Sequence, residues 1–144
     1  MNYLELILND EDINNESYKK EELNSLKVLN ISISLTDFEE CELKDSIYEN
    51  VHFDKVNFNN CDLSNTKFIE CSFHSCNINN SKLLGTMFNN CRITKLNINN
   101  SYLKSNKIYV FRLRKVSDNE IVFFNLANNF TFPDFTFEIN VPSR

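Results

Sequence analysis

A five-residue period of apolar side chains runs through the middle of this 144-residue chain. Every fifth residue from Phe38 to Ile108 is apolar or aromatic, and the residue two places before each is in most cases Cys, Ser, Thr or Val. A period of five fits neither an α-helix, which repeats at about 3.6 residues, nor a flat strand, which repeats at about two. It predicts short extended segments, each with two inward side chains and followed by a corner.

A second repeat of twenty residues indicates how many corners make one coil. The hexapeptides Val56–Cys61, Cys76–Ser81 and Leu96–Ser101 share Asn at their second, fourth and fifth positions. Four pentads per coil predict a four-sided coil, with Asn ladders on one side. With one Gly and two Pro in the chain, we expect Asn, which tolerates left-handed backbone, to make many of the corners.

Individual pentads resemble the motif of the pentapeptide-repeat family: a small residue, Asn or Asp, Leu or Phe, then two polar residues. Cys61–Asn65 and Cys91–Lys95 show the range of fit. The resemblance implies an all-β fold, a right-handed quadrilateral β-helix of about four coils, with caps at its ends. We expect an N-terminal cap over 1–25, the β-helix over 26–115, and a C-terminal cap or dimerisation hairpin over 116–144.

The two ends must cover the edges of the stack, because exposed edge strands aggregate. The apolar segment Tyr3–Leu8 predicts a strand, and Asn15–Leu26, with acids in its first turn, predicts a short helix. At the other end, Ile121–Phe124 predicts a strand, and alternating apolar residues around Pro133-Asp134 predict a β-hairpin. This hairpin either caps the solenoid or pairs two copies, as the C-terminal ends of many family relatives do.

Charge is distributed unevenly along the chain, whose formal net charge is -5. Residues 1–70 contain 16 acidic and 6 basic residues, whereas residues 71–144 contain 4 and 9. The family resemblance implies that acidic β-helices imitate DNA and bind DNA gyrase or another topoisomerase, since spaced carboxylates fit a groove built for phosphates. The acidic candidates for a partner site are Asp37, Glu39, Glu40, Glu42, Asp45, Glu49 and Asp54.

Two further surfaces are candidates for binding. The basic candidates are predicted to share one side of the coil, apart from Lys104, which we place with Lys82 on a neighbouring side. They are Arg92, Lys95, Lys104, Arg112, Arg114 and Lys115. Apolar residues at outward positions predict a patch that a protein partner would cover. These residues are Ile69, Leu84, Met87, Tyr102 and Tyr109.

The residues that usually carry chemistry have structural explanations here. All five cysteines fall on small inward positions, which predicts buried thiols in a reducing cytoplasm and neither disulfides nor a zinc site. His52 and His74 are predicted to be outward neighbours, with no nucleophile set against a base. We therefore expect no enzyme, metal or cofactor. No segment reaches the roughly 18 apolar residues that a bilayer span requires.

These observations predict a non-enzymatic, cytoplasmic, protein-binding scaffold. Its sharpest form is an inhibitor or modulator of a DNA-handling enzyme through charge mimicry, the target being gyrase-like or part of phage–host defence. Two alternatives stay open. One is nucleic-acid contact through the basic C-terminal half, and the other is a purely structural module that self-associates.

Overall fold

The computed structural model of the chain describes residues 2–104, 106–110, 112–113, 122–126 and 135–139, with side chains up to Ser101. One short helix is followed by short strands. In chain order the elements are α1 (Tyr3–Leu8), β1 (Ile13–Asn14), β2 (Ser17–Lys19), β3 (Lys27–Leu29), β4 (Ser32–Ser34), β5 (Asp37–Glu39), β6 (Ile47–Glu49), β7 (His52–Asp54), β8 (Asn57–Asn59), β9 (Lys67–Ile69), β10 (Ser72–His74), β11 (Cys76–Asn79), β12 (Lys82–Leu84), β13 (Met87–Asn89), β14 (Arg92–Ile93), β15 (Leu96–Lys104), β16 (Asn106–Val110), β17 (Arg112–Leu113), β18 (Val122–Leu126) and β19 (Phe135–Ile139).

Strands twenty residues apart pair in parallel and form the faces of a β-solenoid. The first face contains β1, β4, β7, β10, β14 and β17, the second contains β2, β5, β8, β11 and β15, and the fourth contains β3, β6, β9, β13 and β16. The third face is held by single parallel bridges that join Glu22, Glu42, Asp62 and Lys82, and by β12 against the end of β15. The predicted all-β solenoid is confirmed.

The core contains both series of side chains that the five-residue period placed inside. The large members from Phe38 to Ile98 and the small members from Thr36 to Ser101 are all buried, none more than 2% exposed. Their outward neighbours are half-buried or exposed. The inward and outward assignment is therefore confirmed up to Ser101; Leu103, Asn106 and Ile108 have no described side chains.

Aromatic rings stack along the axis inside the solenoid. Phe53 and Phe73 lie 4.8 Å apart, measured between ring centroids, and are inclined by 5°. Phe68 lies against Phe88 at 5.0 Å on the fourth face, and meets Phe73 edge to face at 5.3 Å across the corner. Offset stacking within a column and edge contacts between columns are the favoured arrangements of aromatic pairs, so neighbouring coils fit together in one register.

The corners of the coil are made by residues with left-handed backbone, except at Lys95. Positive φ recurs at every fifth residue from Asp10 to Asn90, with Gly85 as the glycine of the series, and again at Asn100. Asn occupies many of these positions, as predicted, but Lys, Glu, Ser and Leu35 also occur there. At Gly85, with φ of 73°, an added Cβ would lie 2.4 Å from the Asn65 Oδ1 atom.

The N-terminal secondary structure differs from the prediction. Residues 3–8 form α1, because the Asn2 side chain accepts hydrogen bonds from the amides of Leu4 and Glu5 and caps the helix. Tyr3 and Leu6, three residues apart, are buried against the core. The Tyr3 hydroxyl lies 2.9 Å from that of Tyr48. The predicted strand over these residues is therefore wrong, and α1 covers the first coil.

The predicted helix over Asn15–Leu26 is also wrong, because this segment belongs to the solenoid. Tyr18 pairs with Phe38, and the stacked strands begin at Ile13, well before residue 26. The five-residue apolar series in fact extends back through Leu23 to Ile13. It was obscured because Glu11, Glu16 and Glu21 occupy the small inward position, where no preceding coil encloses them.

The last described strands add to existing faces. Strand β18 pairs in parallel with β15, with Phe124 opposite Ile98, and β19 pairs in parallel with β16, with Phe137 opposite Ile108. The separations exceed twenty residues, so stacking continues here after the strict period has ended. The first arm of the predicted hairpin and its turn at Pro133-Asp134 lie outside the described residues.

Replacing Phe73 with Ala should lower the free energy of unfolding by about 3–5 kcal/mol, since it removes a ring that is fully buried and stacked. Lys67→Ala, at an exposed outward position, should change it by less than about 0.5 kcal/mol. Urea denaturation followed by circular dichroism measures both. Equal effects would contradict the assignment of the core.

Replacing Leu35 with Asn should stabilise the protein by about 0.5–1 kcal/mol, because Asn tolerates left-handed backbone better than Leu. Leu35 has φ of 49° and is 52% exposed, so little apolar contact is lost. Leu35→Ala is the matched control: it shortens the side chain, keeps the backbone penalty and should give no gain. A stabilised Ala variant would point to surface hydrophobicity as the cause.

Candidate functional site

Outward side chains form columns along each face, since residues twenty apart lie in register on neighbouring coils. Neighbouring strands are about 4.8 Å apart, so side chains in one column can contact directly. On the second face the Asn77 amide donates to Asn57 at 2.9 Å, and the Asn97 amide donates to Asn77 at 3.1 Å. Asn57 in turn donates to the carboxylate of Asp37 at 2.8 Å. The predicted Asn ladder is therefore present.

Carboxylates form a column on the third face. Glu22, Glu42 and Asp62 are joined by consecutive parallel bridges, and Glu39 and Glu40 lie at the adjoining end of the second face. We call these five residues the acidic edge. Asn24 Nδ2 donates to Glu42 at 3.2 Å, and Asn60 Nδ2 donates to Glu39 at 3.0 Å. Lys20 lies 3.9 Å from the Glu40 carboxylate.

The acidic candidates from the sequence encircle the coil rather than sharing one surface. They lie on all four faces: Asp37 and Glu39 on the second, Glu40 at its end, Glu42 and Asp45 on and after the third, Glu49 on the fourth and Asp54 on the first. Only Glu39, Glu40 and Glu42 belong to the acidic edge. Glu22 and Asp62 were missed, although their twenty-residue spacing from Glu42 was a readable signal.

The basic candidates are divided between opposite faces. Arg92 and Arg112 lie in register on the first face, and Lys95 follows that face in the chain. Lys104 pairs with Leu84 on the third face, which is opposite the first in a four-sided coil. The expectation that Lys82 and Lys104 lie on a neighbouring side is therefore wrong. Arg114 and Lys115 lie outside the described residues.

The apolar candidates divide between two faces. Ile69 and Met87 lie diagonally on adjacent strands of the fourth face, where Tyr109 is in register with Asn89. Leu84, which is 40% exposed, and Tyr102 are on the third face. The structure adds two half-buried residues to the fourth face that the sequence reasoning missed. They are Leu29 and Ile47.

The cysteine thiols donate hydrogen bonds to backbone carbonyls inside the solenoid. Each thiol donates to the carbonyl of the large inward residue of the preceding coil, as Cys61 does to Phe38 at 3.3 Å and Cys91 to Phe68 at 3.3 Å. Ser81 and Thr86 make the same contact through hydroxyls. The five cysteines are free and buried. A short donor at the small inward position can make this bond, which accounts for its Cys, Ser and Thr, while Val51, Val56 and Leu96 fill the same position with apolar groups.

Thiol acidity follows from these contacts and from burial. The interaction between the neighbouring thiols of Cys41 and Cys61 lowers the pKa of Cys41 to about 7 and, with burial, raises the pKa of Cys61. The side chain of Cys71 has the same effect on its neighbour, raising the pKa of Cys91. Burial raises the pKa of the Cys76 thiol to about 11.

The two histidines each bond to a neighbouring coil of the first face. His52 Nδ1 lies 2.6 Å from the Ser72 hydroxyl, and His74 Nδ1 lies 2.8 Å from the Asp54 carboxylate. The expectation that no nucleophile faces a base is therefore wrong in its geometry. A Ser-His-Asp triad requires the acid on the same imidazole as the serine. Here Asp54 bonds to His74, whereas Ser72 bonds to His52, so the contacts form two separate pairs.

Among the residues that the structure describes, no group of three or more His, Cys, Asp or Glu side chains is arranged to hold a metal ion. None of the helices described there is long and apolar enough to cross a membrane.

The fold and the buried columns define a class: a four-sided parallel β-solenoid with five residues to each side. Residues 36–74 match the family model for pentapeptide repeats, in eight copies. This part of the chain therefore consists of pentapeptide repeats. The structure extends the same coil beyond the matched residues, back to Ile13 and forward to Ser101.

Solved structures similar to this chain include two trypsin-treated forms of QnrB1, a plasmid-mediated fluoroquinolone resistance protein. One shows 16% identity and a TM-score of 0.38 over 84% of this chain and 79% of the other. The second shows 10% identity and a TM-score of 0.28 over 93% and 85%. TM-scores this low carry no argument about function. No curated protein matches the sequence at a significant level.

Ellman's reagent at pH 8 should label no thiol in the native protein, because all five are at most 2% exposed. In denaturant all five should react. The absorbance of the released thiolate counts them in both states. A thiol that reacts rapidly in the native state would show that a cysteine column is open to solvent.

Proposed function

We propose that this chain is a non-enzymatic scaffold that binds a protein through the acidic edge. The partner would present a basic surface made to bind nucleic-acid phosphates, as a DNA-handling enzyme does. The observation that carries the proposal is the bridged column of Glu22, Glu42 and Asp62. Fold alone does not decide function, so the argument rests on this site.

The spacing of the column supports charge mimicry. Each strand of duplex DNA carries one phosphate per about 3.4 Å of axis, and stacked coils repeat about every 4.8 Å. Glu39 adds charge beside the column, whereas Lys20 balances part of the charge of Glu40, so the three bridged carboxylates carry most of the likeness to a row of phosphates. Contacts from Asn24 and Asn60 hold two of the carboxylates in place. Such preorganisation lowers the entropy lost on binding.

A rigid rod also suits this role. The aromatic columns and the inter-coil hydrogen bonds fix the backbone, so the carboxylates keep their spacing when a partner approaches. The inhibitor or modulator role, with gyrase or a target in phage–host defence as the partner, is the specific form of the proposal. Five free, buried thiols support a reducing compartment, and we propose the cytoplasm.

Two other functions each have an observation in their favour. Arg92 and Arg112 are in register on the first face, and no acidic residue occurs from 71 to 117, which favours direct contact with nucleic-acid phosphates. Strand β19 ends the fourth face and has one pairing partner among the described strands, β16. An edge of this kind favours self-association through the C-terminal segment.

The central test compares two triple variants of equal charge. One is Glu22→Gln, Glu42→Gln, Asp62→Asn in the acidic edge; the control is Glu11→Gln, Asp45→Asn, Glu49→Gln, at positions outside it. The readout is displacement of fluorescent duplex DNA from purified gyrase. We expect wild type and control to displace DNA with similar potency, and the edge variant to be at least about tenfold weaker, since several charged contacts are lost.

Two further measurements extend this experiment: the dependence of displacement on salt, and the search for a partner other than gyrase. Displacement should weaken as salt rises, because exposed charges are screened. If gyrase retains its DNA at every concentration, gyrase is not the partner, and immobilised variants are compared for binding of heparin-retained proteins. An edge variant that binds the same proteins as wild type would contradict charge mimicry as such.

A further inference from the structure

A groove on the first face, on a different side of the coil from the acidic edge, has no role in the function proposed above. It has a volume of about 520 Å³ and is lined from β7, β10 and β14 and from the corner that precedes them. It forms because Ser72 is small and lies in register between His52 and Arg92. The larger side chains rise on either side of the serine and leave a polar recess.

Hydrogen bonds orient both imidazoles of the groove. His52 uses Nδ1 to meet Ser72, and His74 donates from Nδ1 to Asp54, since a carboxylate can only accept. The bond at one ring nitrogen determines how the other is presented. Nε2 is therefore the nitrogen that each ring has available for a ligand.

Arg92 supplies a fixed positive charge at the groove. Its side chain is exposed and makes no hydrogen bond or ion pair with any other residue in the described part of the chain. A guanidinium has five donors in a planar fork that matches two oxygens of a phosphate. An arginine held on a sheet, with two oriented imidazoles on the neighbouring strands, is an arrangement suited to an anion.

The other lining residues limit which anion would fit. Asn50, Asn90 and Thr94 offer neutral donors and acceptors, while Glu70 is the one acid of the lining. A carboxylate at the margin opposes an anion and would weaken its binding. The volume lies in the range of small-molecule sites, about 300–1,000 Å³, and exceeds what a bare phosphate needs. A phosphate carried on a polar group of nucleoside size uses both the charge and the space.

We propose that this groove binds a phosphate monoester, with Arg92 donating to two phosphate oxygens and His52 donating to a third from Nε2, while its Nδ1 accepts the proton of the Ser72 hydroxyl. His74, whose Nδ1 proton is donated to Asp54, lines the groove beside them. The amides of Asn50 and Asn90 lie where they can contact the remainder of the ligand. The site stands independently of the acidic edge. Binding here would add a small-molecule ligand to a protein-binding scaffold.

The test titrates the full-length protein with inorganic phosphate, adenosine 5′-monophosphate and a single-stranded oligonucleotide without a terminal phosphate, by NMR of the two histidine rings. Arg92→Gln should weaken binding of the monophosphate by about tenfold or more, since it removes a charged bidentate contact. Glu70→Gln should tighten it by about two- to fivefold through loss of repulsion. Lys82→Gln removes one positive charge from the opposite face, and should leave the affinity unchanged.

Comparison of the three ligands distinguishes a site for phosphate monoesters from one for the phosphodiesters of a nucleic acid. Tighter binding of the monophosphate than of the oligonucleotide, with saturable shifts of both histidine rings, supports the monoester site. Three results would each overturn it: no saturable binding of the monophosphate, equal losses in Arg92→Gln and Lys82→Gln, or binding of the oligonucleotide alone. Circular dichroism of each variant confirms that the fold is retained. The acidic-edge triple variant should bind the monophosphate as wild type does, so this site and the protein-binding proposal can fail separately.

Discussion

The structure depends on a left-handed turn at every fifth residue. Each turn ends one short strand and begins the next, and it brings the backbone back into register with the coil twenty residues away. Amides then bond between coils, as Glu40 does to Asn59 at 2.9 Å and Asn60 to Asn79 at 2.9 Å. Asn accepts this backbone readily, and residues such as Leu35 adopt it because the coils on both sides leave the chain no other path. The buried ring columns and the outward columns both follow from the same turn.

Much of this architecture could be predicted from the sequence, because the same five-residue period sets which side chains are buried and where the chain turns. The positions of Phe53, Phe73 and their partners followed from spacing alone. The first coil was missed, since its glutamates occupy a position that is small and buried everywhere else. Helix α1 could not be predicted because so short an apolar segment fits a strand as well as a helix, and its packing on Tyr18 and Phe38 distinguishes the two. The spacing beyond Leu113 could not be predicted once the period had ended.

The candidate surfaces were harder to predict than the core. Sequence neighbours such as Glu49 and Asp54 turn onto different faces, so a cluster in the sequence is spread around the coil. Residues twenty apart come together instead, which makes Glu22, Glu42 and Asp62 one column and places Ser72 between His52 and Arg92. The contacts of the two histidines depend on side-chain rotamers, and no spacing rule predicts them. A rod of this kind therefore displays several independent surfaces on one rigid frame.

Residue-resolved hydrogen exchange distinguishes stacked coils from other folds of this chain. We predict slow exchange for amides that bond between coils, such as those of Asp37, Glu40 and Glu42, in a pattern that repeats every five residues from Leu35 to Arg92. Protection spread over continuous runs of residues, as in a helix, or absent from this segment, would contradict the stacked coil and the surfaces built on it.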